Sequence, residues 1–252
     1  MDILYIIGKN ASKCNNNELR YSLRSIEKYG KNVGRVFVVG YCPAFLSDEV
    51  VKLPFEQPYS GKISMAHKCD NIRASIEYAV ENSDIGDEFL ISMDDHFYVR
   101  EVDFGAYPYY VKDYTKRECR TELPSKEQDK EHQDVYTNML RKTRAFLEEN
   151  NLTYWNFSPH RNMHCTKEAV AECKNLAESG IEPMALWLNW MYTNEKFAEK
   201  TVCVDVKLKN GGDWWKTDPR ETEVFSTSDF KEGVGLDCLI SSLYPEKSKY
   251  EI

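Results

Sequence analysis

The sequence predicts an α/β protein with a mixed, mainly parallel sheet and helices on both faces. Apolar runs at 2–8, 35–41 and 88–93 have the length of buried strands. The segments between them carry apolar residues at helical spacing. Strands that alternate with helices of this length imply a largely parallel sheet with both faces covered.

The first hundred residues define these elements. Residues 17–29 are predicted to be a helix, because Leu19, Leu23 and Ile26 share one face. The next strand, 35–41, is followed by a short one at 50–53.

A long helix is predicted at 65–81, with Ser64 as its N-cap. The next strand, 88–93, runs directly into Asp94-Asp95-His96. A buried strand thus ends abruptly in two carboxylates.

The second half has weaker patterns. Residues 103–130 are polar and rich in tyrosine, which predicts an active-site loop. The remaining predicted elements are helices at 133–150, 167–179 (capped by Thr166) and 183–198, strands at 154–157 and 202–208, and a turn at 210–213.

Composition excludes some functions and locations. The net charge of −8 gives no overall attraction for nucleic acid or an anionic membrane. No apolar run approaches the roughly 20 residues that span a bilayer. Met1-Asp2 leads straight into a strand-like run, and the eight cysteines form no CxxC pair. These features favour a cytoplasmic protein with free thiols and no transmembrane segment.

Ligands of open α/β sheets bind beyond the carboxyl ends of the strands. Three segments follow such ends, namely Gly8-Lys9-Asn10, Gly40-Tyr41 and Asp94-Asp95. We therefore expect them to converge on one crevice.

The acidic pair needs a partner, because buried carboxylates are costly unless they are paired or bound to a cation. A structural cluster with Arg24 or Arg73 is one explanation. A hard divalent cation, Mg²⁺ or Mn²⁺, is the other, since it binds carboxylates and keeps sites open for diphosphate oxygens.

Three histidines are candidates near this site. His160 follows the predicted strand at 154–157 and is suited to complete a metal shell or to act as an acid or base. His164 competes with it for that role. His96 adjoins the acidic pair and is suited to bind a phosphate, unless strand alternation points it away.

The strand, the Asp-Asp pair and the helix before them resemble the nucleotide-binding half of GT-A glycosyltransferases, in which such a pair belongs to the DxD motif. A more specific resemblance joins 17–29 and 36–40 to the Stealth family of capsular polysaccharide phosphotransferases. The Asn-Asp-Asp-Phe-Phe segment of that family parallels 93–97, with Met93 in place of asparagine. Residues 160–170 are similar to its downstream His-x-Pro element, with Asn162 in place of proline, and 244–251 looks like the ends of small bacterial and phage glycosyltransferases.

These resemblances imply a site. Asp95 would ligate the metal, with His160 as a further ligand and Asp94 on the ribose or the metal. Donor contacts are expected from Gly8, Lys9, Asn10, Lys62 and Asn71. A single domain, 1–252, would comprise a nucleotide-sugar-binding half, 1–100, and an acceptor-side half with the C-terminal tail, 101–252.

Three functions remain open from the sequence. The first is metal-dependent glycosyl transfer from a nucleotide sugar, such as a UDP-sugar, and it is favoured because the later Stealth elements are incomplete. The second is Stealth-type transfer of a sugar 1-phosphate, and the third is a non-catalytic module that binds a sugar nucleotide or a glycan. The acceptor is open among a glycan, a lipid-linked saccharide and a modified DNA base.

Overall fold

The computed structural model describes residues 1–9, 15–114, 119–128, 133–176, 178–209, 218–228 and 235–252. Its strands are β1 Asp2–Ile7, β2 Gly30–Lys31, β3 Val36–Gly40, β4 Val50–Pro54, β5 Glu88–Ser92, β6 His96–Tyr98, β7 Val102–Asp103, β8 Tyr110–Lys112, β9 Met163–Thr166, β10 Thr201–Cys203, β11 Lys207–Lys209 and β12 Val224–Ser228. Its α-helices are α1 Asn17–Tyr29, α2 Met65–Asn82, α3 Val135–Glu149, α4 Lys167–Lys174, α5 Pro183–Thr193 and α6 Gly235–Leu243.

The main sheet has the strand order β4-β3-β1-β5-β9. Its first four strands are parallel, and β9 runs antiparallel to β5. The register aligns the carboxyl ends, since Ile7 lies opposite Gly40 and Tyr5 opposite Ser92. This arrangement confirms the predicted mixed, mainly parallel sheet.

Helices cover both faces of this sheet because successive strand residues point to opposite sides. Leu4 and Ile6 pack into a core that also contains buried residues of α2, α3, α4 and α5. Ile3, Tyr5 and Ile7 pack on the other side, against the apolar stripe of α1. The predicted two-faced covering is therefore confirmed.

A smaller sheet, β11-β12-β6, continues the chain beyond the acidic pair. Phe97 of β6 and Phe225 of β12 pack with Leu236 and Ile240 of α6 in a separate apolar cluster. Two further sheets have two strands each. The β10-β8 sheet joins the region predicted as a single strand to the region predicted as a loop. The β2-β7 sheet lies largely between predicted elements.

The C-terminal segment packs back on α1. Glu251 accepts hydrogen bonds from Arg24 at 2.7 and 2.9 Å and from Arg20 at 3.0 Å. The Tyr244 hydroxyl donates to the Tyr98 carbonyl at 2.7 Å. These contacts fix the last residues of the chain to the side of the sheet that carries α1.

The strand predicted at 154–157 is wrong. Trp155 forms only an isolated bridge with Glu122. The reason is local, because the Asn189 side chain accepts from the Trp155 amide at 2.8 Å and donates to its carbonyl at 2.9 Å. A side-chain amide thus takes the place of a neighbouring strand on one edge of this segment, while the other edge bonds to the backbone of Thr121 and Leu123. The next regular strand is β9, six residues later.

Two other predictions need correction. The strand predicted at 202–208 is divided into β10, which pairs with β8, and β11, which pairs with β12. The loop predicted at 103–130 contains β8 and a short 3₁₀ helix at Phe104–Ala106. The turn predicted at 210–213 lies outside the described residues.

Helix caps agree with the sequence. Ser64 accepts from the His67 amide at 3.1 Å, and Thr166 accepts from the Ala169 amide at 3.1 Å. Throughout the described part of the chain, every helix is too short or too polar to cross a bilayer. No disulfide joins the cysteines at described positions.

Candidate functional site

The crevice lies at the point where successive strands stop being added on one side of β1 and begin to be added on the other. From β1 the chain passes through α1 to β3 and β4, and α2 then returns it to β5 on the other side of β1. Since α1 and α2 lie on opposite faces, the carboxyl ends of β1 and β5 border a gap at this switch point. Lys9 follows β1 there, and Asp94 and Asp95 follow β5.

Three cavities lie along this edge. The first, of about 430 Å³, is lined by Lys9, Tyr41 and Tyr59, and the second, of about 580 Å³, also contains Lys9 and Tyr59. The third, of about 190 Å³, contains Asp95. Lys68 lines both the second and the third cavity. Their shared residues therefore join the ends of β1, β3, β4 and β5 into one cleft.

The surroundings of the acidic pair oppose ionisation of Asp94. Burial, followed by the charges of Asp95 and Glu18, raises the pKa of Asp94 to about 7. The side chain of Asp95 is 26% exposed and faces the third cavity. Asp94 therefore resists ionisation in this environment, and a nearby cation would stabilise its charged form.

The arginines considered as structural partners are engaged elsewhere. Arg24 binds Glu251, and Arg73 lies 3.4 Å from Asp70 and donates to the Glu178 carbonyl at 3.1 Å. The structural explanation through these arginines is therefore wrong, and Asp95 lines the third cavity.

His160 belongs to a charged cluster on the wall of the third cavity. Its Nδ1 lies 2.6 Å from Asp205, and its Nε2 lies 3.1 Å from the Lys207 ammonium. Lys112 also contacts Asp205 at 2.6 Å. Burial opposes ionisation of Asp205, but the His160 hydrogen bond and the Lys112 charge outweigh it and hold its pKa below the usual range.

The other two histidines have different surroundings. Burial lowers the pKa of His96 to about 4, although Asp95 lies 3.8 Å from its Nε2, so this ring is neutral on the cavity wall. His164 bonds through Nδ1 to Glu88 at 2.8 Å and through Nε2 to the Tyr107 carbonyl at 2.7 Å. His164 pairs with Leu90 in the middle of β5, and its ring points to Glu88 at the start of that strand, away from the acidic pair.

The remaining expected donor residues are partly brought together. Gly8, Lys9 and Asn71 line the second cavity, whereas Lys62 is exposed between two residues that line it. The Asn71 amide is 4% exposed, accepts from the Tyr59 amide at 3.0 Å and donates to the Tyr59 carbonyl at 2.8 Å. Asn71 thus holds the loop that forms the cleft wall. Asn10 lies outside the described residues.

Sequence reasoning missed Lys68 and Glu182. Lys68 is on the exposed side of α2, one helical turn before Asn71. This helical spacing from Asn71 was the only sequence signal that could have identified Lys68. Glu182 precedes Pro183, a pattern typical of a helix start, and it accepts from Ser158 at 3.0 Å. Burial raises the pKa of Glu182 to about 7, and its carboxyl group lines the third cavity.

The fit to a metal ion is mixed. Asp94 and Asp95 have the oxygen ligands that Mg²⁺ and Mn²⁺ prefer, and such ions are often held by one or two carboxylates with substrate phosphates. No group of three or more metal-ligating side chains occurs among the described residues. The His160 Nε2 faces an ammonium group, so the expected His160 ligand does not fit in this arrangement.

Comparisons with known proteins give structural matches only. No protein-family model and no curated protein matches the chain. The galactosyltransferase LgtC, in complex with donor and acceptor sugar analogs, matches with a TM-score of 0.46 and 13% identity, over 99% of this chain and 97% of that chain. An active-site mutant of LgtC matches with a TM-score of 0.46 and 11% identity, over 96% and 95%.

Proposed function

We propose that the chain transfers a glycosyl group from a nucleoside diphosphate sugar, such as a UDP-sugar, to an acceptor hydroxyl. The observation that carries this proposal is that Lys9 lines the second cavity and Asp95 the third, while Lys68 lines both. Asp94 and Asp95 follow β5 at the same edge of the sheet. The two lysines would bind an anionic diphosphate, and the carboxylate pair would bind a cation that stabilises the leaving group.

The donor would extend along the cleft from the first cavity through the second to the edge of the third. Tyr41 and Tyr59 are 41% and 38% exposed at the first cavity and offer aromatic faces to a nucleobase. The diphosphate would lie beside Lys9 and Lys68. The transferred sugar would then reach the region of Asp95 and His160.

Asp94 and Asp95 are the residues that would hold a divalent cation. When bound, such an ion supplies Lewis-acid stabilisation of the charge that develops on a departing diphosphate. The raised pKa of Asp94 supports this assignment, because a nearby cation would favour the charged form of both carboxylates. Lys68 adds a fixed positive charge on the same side of the cleft.

The reaction forms one bond and breaks one. The acceptor oxygen bonds to the anomeric carbon, and the bond from that carbon to the diphosphate oxygen breaks, with its electron pair leaving on the nucleoside diphosphate. His160 would take the acceptor proton through Nε2, because its Nδ1 is held by Asp205. Nε2 lies 3.1 Å from the Lys207 ammonium, so the acceptor hydroxyl would have to displace Lys207 from this nitrogen. In this assignment Asp205 is a positioning residue.

Product identification tests the proposal and separates it from its alternatives. The purified chain is incubated with a panel of nucleotide sugars, with Mg²⁺ or Mn²⁺, and the released nucleotide is identified. Nucleoside diphosphate supports glycosyl transfer, whereas nucleoside monophosphate supports sugar 1-phosphate transfer of the Stealth type. Donor binding without release of either nucleotide across the donor and acceptor panel would contradict both and leave a binding module.

A further inference from the structure

The third cavity is unusual in its lining. Five of the seven methionines of the chain surround it, namely Met65, Met93, Met139, Met163 and Met184. They come from α2, from the turn after β5, and from α3, β9 and α5. Side chains from five parts of the fold thus converge on one space next to the acidic pair.

This lining is poorly suited to a bare sugar. A thioether is a weak hydrogen-bond acceptor and donates none, so hydroxyl groups seated among methionines would lack partners. A buried polar group without a partner destabilises the complex, because its hydrogen bonds to water are lost and not replaced. An apolar occupant has no such cost.

The size and chemistry of the cavity favour an aromatic ring. Its volume of about 190 Å³ is slightly above that of an apolar cavity of about 150 Å³ that holds benzene. Contacts between a thioether sulfur and an aromatic ring are favourable, and five methionines offer several of them. Tyr136, also on the wall, adds an aromatic surface.

Polar residues also line the third cavity. Lys68, Asp95 and His160 line the cavity, and Lys68 also lines the neighbouring part of the cleft. Lys68 is exposed and Asp95 is partly exposed, whereas Met139, Met163 and Met184 are no more than 7% exposed. An occupant is therefore expected to place its apolar part among the methionines and a hydroxyl group near Asp95 and His160.

We propose that this cavity binds the acceptor, and that the acceptor is a hydroxyl compound whose apolar part is about one aromatic ring. The acceptor role rests on the proposed function, whereas the binding of the ring rests on the cavity alone. Attack by the acceptor oxygen on the anomeric carbon would follow the bond changes given above.

Methionine methyl groups report directly on this site. The protein is labelled with ¹³C at its methionine methyl groups, and spectra are recorded with phenyl β-glucoside and with methyl β-glucoside, which share their sugar hydroxyls and differ in the ring. We expect phenyl β-glucoside to shift the five cavity methyl resonances and to bind at least tenfold more tightly. Met1 and Met191, which do not line the cavity, serve as internal references.

A variant that fills the cavity provides the matched comparison. Met65 is half-buried at the start of α2, and Met65→Trp should weaken binding of phenyl β-glucoside at least tenfold, whereas Met191→Leu should not. Equal binding of both glucosides by the unmodified protein, or no shift of the five resonances up to the solubility limit of the phenyl compound, would overturn the proposal without relying on either variant.

Donor binding measured on the same sample separates the two proposals. If a nucleotide sugar binds but phenyl β-glucoside leaves the five methionine resonances unchanged, only the aromatic-site proposal is overturned. Ring binding with no turnover of any nucleotide sugar supports the cavity and overturns the proposed transfer.

Discussion

His160 and the Asp205 carboxylate are joined twice, through the ring Nδ1 at 2.6 Å and through the His160 backbone amide, which donates at 2.9 Å. This double contact connects the segment after residue 157 to the residues between β10 and β11. It also fixes the ring orientation, so that Nε2 lies 3.1 Å from the Lys207 ammonium. A buried carboxylate thereby orients a histidine, and Lys112 balances its charge at 2.6 Å.

Replacing Asp205 by Asn should destabilise the fold. Lys112, whose side chain is 10% exposed, would keep its charge and lose its partner. Removing one member of such a buried pair costs about 3–5 kcal/mol, and we expect a loss near the lower end in urea unfolding. The control is Asp218→Asn, whose partner Arg220 is 71% exposed, and it should destabilise the fold much less because solvent screens an exposed ion pair. Equal effects of the two substitutions would contradict the account.

The anchor of the C-terminal segment should make stability depend on pH. Burial opposes ionisation of Glu251, but hydrogen bonds from Arg24 and other donors outweigh it and lower its pKa from 4.5 to about 2. Because the folded-state pKa is depressed, its contribution is complete above about pH 4.5 and is lost as the pH falls towards 2. Glu251→Gln should therefore cost about 2 kcal/mol at pH 7 and progressively less below pH 4.5.

Thermal or urea unfolding of both proteins between pH 7 and pH 2 measures this difference. Glu101→Gln is the comparison, since Glu101 forms an ion pair with Lys31 in which both side chains are more than half exposed. A gap between the parent and Glu251→Gln that stays constant with pH would show that the carboxylate charge does not anchor the tail.

Lys68 should contribute to donor affinity. Lys68→Met removes the charge that faces the second and third cavities while keeping much of the side-chain length. Loss of a charge-assisted hydrogen bond to a phosphate is worth about 1.5–3 kcal/mol, so the donor Kd should rise roughly tenfold or more. Lys167→Met is the matched control, because Lys167 lies 3.7 Å from Asp87 at the amino end of β5. Calorimetric titration with a nucleotide sugar would contradict the assignment if the two variants bound alike.

The sequence predicted the sheet well because its central strands are buried on both faces. β1 and β3 are continuous apolar runs with turn residues after them, and such runs have few alternative structures. The placement of Lys9 and Asp95 along one cleft also followed from strand direction, since parallel strands share their carboxyl edge.

The failures occurred where side chains distant in sequence determine the backbone. No local pattern shows that Asn189 satisfies the backbone of Trp155 in place of a strand. In the same way, the contact of Asp205 with His160 spans 45 positions, so the sequence offered His160 as a metal ligand while its actual partners stayed hidden. The methionine lining of the third cavity likewise appears only after folding, because its members are spread from residue 65 to residue 184.

The most direct test of the central claim is donor turnover by the parent and by Asp95→Asn, each with and without a chelator. The substitution keeps the shape of the side chain and removes its charge. We expect a loss of at least about a hundredfold, comparable to that of a major electrostatic stabiliser. Chelation should reduce the parent to a similar level, and Mn²⁺ or Mg²⁺ should restore it. Full activity of Asp95→Asn, or a parent indifferent to chelator, would contradict the role of the acidic pair in holding a metal ion for transfer.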